Sequence, residues 1–171
     1  GYGDETIVAI YKKADLENPD STLKGLIRKI SQIPLAYQPG SRFNSGVQHD
    51  VLGYLVQILS GMPFDQFLAQ RIFAPLKMKD STFKPPAGLR GRIAPTERDE
   101  NGEMLRGTVH DPTARRMGGV AGHAGLFSTV TDLARYCRMI LNGGELDGVR
   151  LLGPKTIALM TASHTSDLPP S

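Results

Sequence analysis

The stretch from Pro39 to Gly61 reads PGSRFNSGVQHDVLGYLVQILSG. Pro39-Gly40 is a turn pair, and a short extended run follows it. Asn44-Ser45-Gly46 is a sharp corner, after which the apolar residues recur at helical spacing. Val47, Val51, Leu55 and Leu59 form one row, and Leu52, Val56 and Ile58 widen it. A helix is therefore expected from about Gly46 to Ser60. Gly61 suits the left-handed position that closes it. Ser45 and Gln48 are spaced as a Ser-x-x-Gln capping box, which satisfies orphan N–H groups of the first turn.

Toward the N-terminus, Ile7 to Lys13 has weak helical spacing. Asn18-Pro19-Asp20-Ser21 reads as a turn that caps a second helix through Asp20 or Ser21. Leu23, Ile27 and Ile30 recur along that helix, and Pro34 ends it. Gln38 to Ser41 is a turn. Toward the C-terminus, Pro63 fits the first turn of a helix carrying Phe64, Phe67, Leu68 and Ile72, which Pro75 stops. Helical periodicity fades from Met78 to His110. Residues 92–94 and 104–109 read as short strands there, with Asn101-Gly102 as their hairpin turn. Gly118 to Gly125 holds four glycines and one histidine. Thr129, with Asp132 three residues on, caps a helix expected to bury Leu133, Cys137, Ile140 and Leu141. Asn142-Gly143-Gly144 ends it, and a last helix follows Pro154. The polar, Pro-rich tail from Ser163 to Ser171 is expected to fray. The fold class is α+β, helix-rich, with one core and a small β element.

The composition narrows the function classes. The chain has 171 residues, 40% hydrophobic and 22% charged, which fits one globular domain. Net charge is +3, and no Lys/Arg run exceeds two, so a nucleic-acid partner is not expected. The longest apolar segment, around Val51 to Leu59, is interrupted by Tyr54 and Gln57 and is too short to span a bilayer. The single cysteine, Cys137, excludes an internal disulfide but leaves the compartment open. No three ligands converge at metal-binding spacing, and the Gly118–Gly125 stretch lacks the Lys-Ser/Thr of a phosphate loop. No metal or other cofactor is expected.

Several segments together resemble the penicillin-recognising serine hydrolases: class C β-lactamases, D-alanyl-D-alanine carboxypeptidases and related esterases. One is PGSRF followed by VLGYLVQILSGMPFDQFLAQRIFAPLKMKDSTF, where Lys77 stands in place of a usual Gly. Another is VHDPTARRMGGVAGHAGLFSTVTDLARYCRMILNGG. The resemblance implies acyl transfer: an activated serine hydroxyl, a positioned proton shuttle and backbone donors aimed at the developing oxyanion. It implies three clusters, namely a Ser-x-x-Lys nucleophile, a Tyr-x-Asn or Tyr-Ser-x corner, and a Lys-Thr-Gly strand. It places the first upstream of the Pro39-Gly40 turn and the third beyond Ser171. The chain is accordingly expected to be an interior portion, 1–171, of one such domain. It would hold the helical subdomain and part of the cleft wall, without most of the main antiparallel sheet, and would be inactive alone.

The resemblance places Ser45 on the family's corner tyrosine. A serine hydroxyl is shorter and titrates far above a tyrosine's pKa of about 10, so the capping role is preferred for it over catalysis. The two literal Ser-x-x-Lys matches, Ser21–Lys24 and Ser81–Lys84, lie away from the nucleophile's place. His123, between glycines, is the second candidate: its ring either faces a cleft or pins the loop by bonding a backbone carbonyl. His110-Asp111 reads as structural bonding, and His49-Asp50 as neighbours diverging by about 100° on a helix. Cys137 reads as packing. The implied partner is a small acyl substrate or a peptidoglycan-type peptide, with oligomers expected if apolar faces around Leu133 and Ile140 are exposed. The alternative is a non-catalytic binding module that kept the fold and lost the chemistry.

Overall fold

A computed structural model describes residues 5–14, 22–35, 37–43 and 46–165. Asp20, Ser21 and Ser45, and with Ser45 the proposed capping box, lie outside the described residues. The helices are α1 (Glu5–Lys13), α2 (Leu23–Ile30), α3 (Gln48–Ser60), α4 (Phe64–Leu68), α5 (Pro112–Arg116), α6 (Val130–Leu141) and α7 (Pro154–Thr161). A two-stranded antiparallel sheet, β1 (Glu145–Leu146) and β2 (Val149–Arg150), sits between α6 and α7.

The helix ends follow local chemistry. Thr22 caps α2 by accepting from Gly25 N at 3.1 Å. The buried row of α2 is Leu23 and Leu26, with Ile30 packed beside them. Gly61 closes α3 at φ 69°, its N–H bonded to Gln57 O at 3.0 Å. Past α4 the chain widens into a π-helical turn over Ala69–Phe73. Pro75 has no N–H to continue an α-helical ladder, and the turn instead uses the wider bonds Ala74 N to Ala69 O and Met78 N to Phe73 O. Thr129 caps α6 through Asp132 N, as its spacing predicts.

Among the described residues, two buried clusters form the core. Leu23, Leu26, Val109, Ala114, Met117 and Ala121 join α2, α5 and the glycine-rich segment. Phe73, Leu76, Met78, Met139 and Leu146 join the π-helical turn to α6 and β1.

Three expectations are corrected. The strands at 92–94 and 104–109 do not form. Ala87–Arg92 is a 3-10 helix, and pairing is confined to the bonds between 96–99 and 103–105 around one bridge, Arg98 to Met104. The Asn101-Gly102 turn between them does form, with Gly102 at φ 81° and Asp99 Oδ1 accepting from Asn101 N and Glu103 N. The true sheet turns at Asp147-Gly148, both at positive φ, which is the chemistry of a two-residue hairpin. On α6 the buried residues are Asp132 and Met139; Leu133, Leu141 and Cys137 are exposed, and Ile140 is half-buried. The helix is turned by polar anchors: Asp132 binds Asp80 N and Ser81 Oγ, and Arg135 binds Leu76 O and Asp147. On α3 the face turned inward holds Asp50 and Gly53, while Val51, Leu52, Leu55, Ile58 and Leu59 are exposed.

Candidate functional site

Asp50 is the one acidic residue in a mostly apolar helix, and it is 1% exposed. A carboxylate so placed needs partners. They come from the glycine-rich segment, which lies against the first turns of α3. Gly122 N donates to Asp50 Oδ1 at 2.9 Å, and His123 Nδ1 lies 2.9 Å from both Asp50 oxygens. The close approach demands glycine: a Cβ on Gly122 would stand 1.9 Å from His49 O. Gly125, at φ 106°, crosses Gly119 as tightly, its Cβ position lying 2.1 Å from Gly119 O.

The other ring nitrogen reaches a second acid. His123 Nε2 is 3.0 Å from Asp111 Oδ1, and the same oxygen accepts from Ala114 N at 2.7 Å to cap α5. One imidazole thus ties α3, the loop and α5 together. Burial pulls the His123 pKa down, but the hydrogen bonds and charges of Asp50 and Asp111 outweigh it, so the ring is held above its ordinary 6.5. Burial raises Asp111, but the Ala114 N–H, the His123 bond and charge and the Thr113 N–H outweigh it, so its carboxyl is held below its ordinary 3.8.

Beside this cluster runs an open groove of about 1110 Å³. Its floor is apolar, with Phe64, Leu68, Phe83 and Phe127; Lys79, Lys84 and Arg92 stand along it, with Arg92 3.7 Å from Asp80. His110 and the residues from Ala121 to Val130 form one wall. The opposite segments are stitched: Thr82 and Phe127 exchange both backbone bonds, at 2.9 and 2.8 Å. Ser81 Oγ is buried between Asp132 and Ser128, 2.8 Å from each, while Lys84 is exposed. That serine serves as a strut between segments.

Among the sequence candidates, His123 borders the groove, and its ring partners are two carboxylates rather than a backbone carbonyl. Asp50 and Asp111 join it, while His49 and His110 present their backbones: His49 O faces Gly122, and His110 O accepts from Arg115 Nη2 at 2.7 Å. The clustering of Asp50, His123 and Asp111 was not foreseen. Its sequence signal is a lone acid inside an apolar helical run, together with a histidine between glycines.

The Beta-lactamase family model matches residues 8–169. A Salmonella schwarzengrund (strain CVM19633) protein named "Putative D-alanyl-D-alanine carboxypeptidase" is 36% identical over 159 residues, 82% of this chain and 36% of its own length. An Escherichia coli (strain K12) protein of the same name is 33% identical over 183 residues, 90% of this chain and 41% of its own length. The chain therefore spans about two fifths of the length of these curated relatives. The solved Beta-Lactamase/D-Alanine Carboxypeptidase from Pseudomonas syringae superposes with a TM-score of 0.60 at 19% identity, covering 80% of this chain and 36% of that one. The helix-rich architecture with its small sheet is thus a β-lactamase-like fold, and the chain belongs to the Beta-lactamase family, among the penicillin-recognising serine hydrolases.

Proposed function

We propose that this chain forms the helical subdomain and one cleft wall of a serine hydrolase. The reaction would be acyl-serine transfer to water on an ester, an amide or a β-lactam. A small peptide of the peptidoglycan type is the substrate that fits the carboxypeptidase names of the relatives. The observation that carries the reading is the open groove, with its apolar floor and cationic rim, built within the segments that the family model matches. Such a groove suits a substrate with an apolar body and an anionic end. In this reading the nucleophile and most of the main sheet come from sequence outside residues 1–171, and the chain alone is inactive.

The test is turnover of nitrocefin and p-nitrophenyl esters, with a penicillin-type label read by intact mass. The complete gene product should take one covalent label and hydrolyse at least one substrate class, and residues 1–171 alone should do neither. Robust turnover by the chain alone, abolished by Ser21→Ala, overturns the reading. A second reading, a non-catalytic peptide-binding module, is favoured by Ser45 at the family's tyrosine position. It predicts no label and no turnover even from the complete protein.

A further inference from the structure

The contact between Asp50, His123 and Asp111 holds a chemical asymmetry. Both ring nitrogens lie within hydrogen-bond distance of a carboxylate, Nδ1 at 2.9 Å from Asp50 and Nε2 at 3.0 Å from Asp111. An ionised carboxylate only accepts, and a neutral imidazole has one N–H and one lone pair. The neutral ring therefore satisfies one acid and turns a lone pair toward the other. Only the imidazolium donates to both.

The surroundings decide which bond yields when the ring loses a proton. The Asp50 side chain is 2% exposed and also holds Gly122 N. The Asp111 side chain is 30% exposed, so water replaces the histidine there, and it keeps its Ala114 bond. The remaining proton accordingly stays on Nδ1, facing Asp50, and the Asp111 link opens. That link ties the His123 turn of the loop to the N-terminus of α5, while the loop's start stays bonded to α5 through Gly118 N and Gly119 N.

We propose that His123 is a protonation-gated clamp on the groove wall: doubly protonated, it binds the glycine-rich loop to both α3 and α5, and once neutral it releases the α5 side. Asp50, His123 and Asp111 are then positioning residues for the groove. The charged and titratable groups around the ring are few. From α3 come Asp50, the adjacent His49 and the later Tyr54; from α5 come Asp111, the preceding His110, and Arg115 and Arg116. Arg115 is engaged by His110 O and lies 3.9 Å from Glu97. No other titratable side chain lies between Gly118 and Phe127. The raised pKa of His123 puts the release above the ring's ordinary 6.5.

The proposal is independent of the reaction, and its test reads no turnover. In the complete protein, 15N-histidine NMR should show both His123 nitrogens protonated at pH 5, with Nε2 losing its proton above pH 6.5. Amide exchange over residues 118–125 should rise across that titration by about tenfold more than base catalysis alone gives, the worth of one charge-assisted hydrogen bond. Asp111→Asn keeps the helix cap through Oδ1 and presents the same, now uncharged, oxygen to Nε2, so the imidazolium loses its charge partner on that side. In that variant the His123 pKa should fall relative to the parent and the exchange step should shrink severalfold. A His123 that titrates below 6.5 in the parent overturns the proposal. So does loop exchange indifferent to the titration, or a step of the same size in Asp111→Asn.

Discussion

Gly122→Ala tests the packing on which the site depends. Alanine usually stabilises a compatible glycine position, by roughly 0.4–1 kcal/mol, because it restricts the unfolded chain. Here the added methyl would meet His49 O at 1.9 Å, His49 C at 2.4 Å and Asp50 Cα at 2.8 Å. All three are backbone atoms of α3 or its first turn, so no rotamer change relieves the clash. Ordinary contact begins at 3.4 Å, which means the loop and helix must part by about 1.5 Å. A shift of that size exceeds the tolerance of the Gly122 N to Asp50 bond, which is 2.9 Å long, and it stretches the adjacent His123 bonds. Overpacking costs about 1–3 kcal/mol, and a lost hydrogen bond to a buried carboxylate adds roughly 1.5–3 kcal/mol. The net expectation is a loss of about 3 kcal/mol, or roughly 6–12 °C in Tm for a domain of this size. Urea denaturation of parent and variant at pH 6 checks it, with Gly118→Ala as a companion, since a Cβ there meets nothing within 4 Å. Gly118 lies at φ 76°, so that companion carries backbone strain alone. A Gly122→Ala variant within 0.5 kcal/mol of the parent would refute the claim that the loop is seated on α3.

Two further predictions concern pH and the second core cluster. The raised His123 pKa means its contribution to stability is present below pH 6.5 and is lost as pH rises through the folded value. The lowered Asp111 pKa means its contribution is present above pH 3.8 and is lost as pH falls through its folded value. Stability from the clamp should therefore peak between about pH 4 and 6.5, and His123→Ala should flatten the profile on its alkaline side, read by denaturant midpoints across pH. Met139→Ala, at a side chain 1% exposed, should cost about 2–5 kcal/mol, whereas Leu141→Ala, at 82% exposure, should stay within 0.5 kcal/mol by thermal melts.

What was legible in the sequence was chemistry closed within a few residues. The Thr129 cap, the Gly61 stop and the Asn101-Gly102 turn each need only neighbours, and each forms as read. The buried face of α6 was not legible in that way. Its apolar row is a sound helical pattern, but orientation is set by Asp132 and Arg135 reaching residues more than 50 positions away. The β-strands failed for the same reason in reverse. Residues 104–109 have the composition of a strand, yet only one bridge is available to them, while the short segments flanking Asp147-Gly148 pair through turn chemistry alone. At the site, Asp50 and His123 are separated by 73 positions, so only the anomaly of a lone acid in an apolar helix announced a partner.

The stitching between residues 80–82 and 127–132 has a consequence for how this fold can change. Asp80 N and Ser81 Oγ are fixed to Asp132 and Thr82 to Phe127, so the entry of the long excursion over 84–108 has a rigid footing there, and its exit at Val109 is buried in the first core cluster. That excursion carries Lys84, Leu89, Arg92 and Ile93 along the groove, and it ends in an exposed tip at Asn101-Gly102. Its length and side chains are free to vary while the footing stays put, as surface loops on a rigid scaffold do. The rim is in this sense an interchangeable part, whose side chains can change without repacking the core beneath.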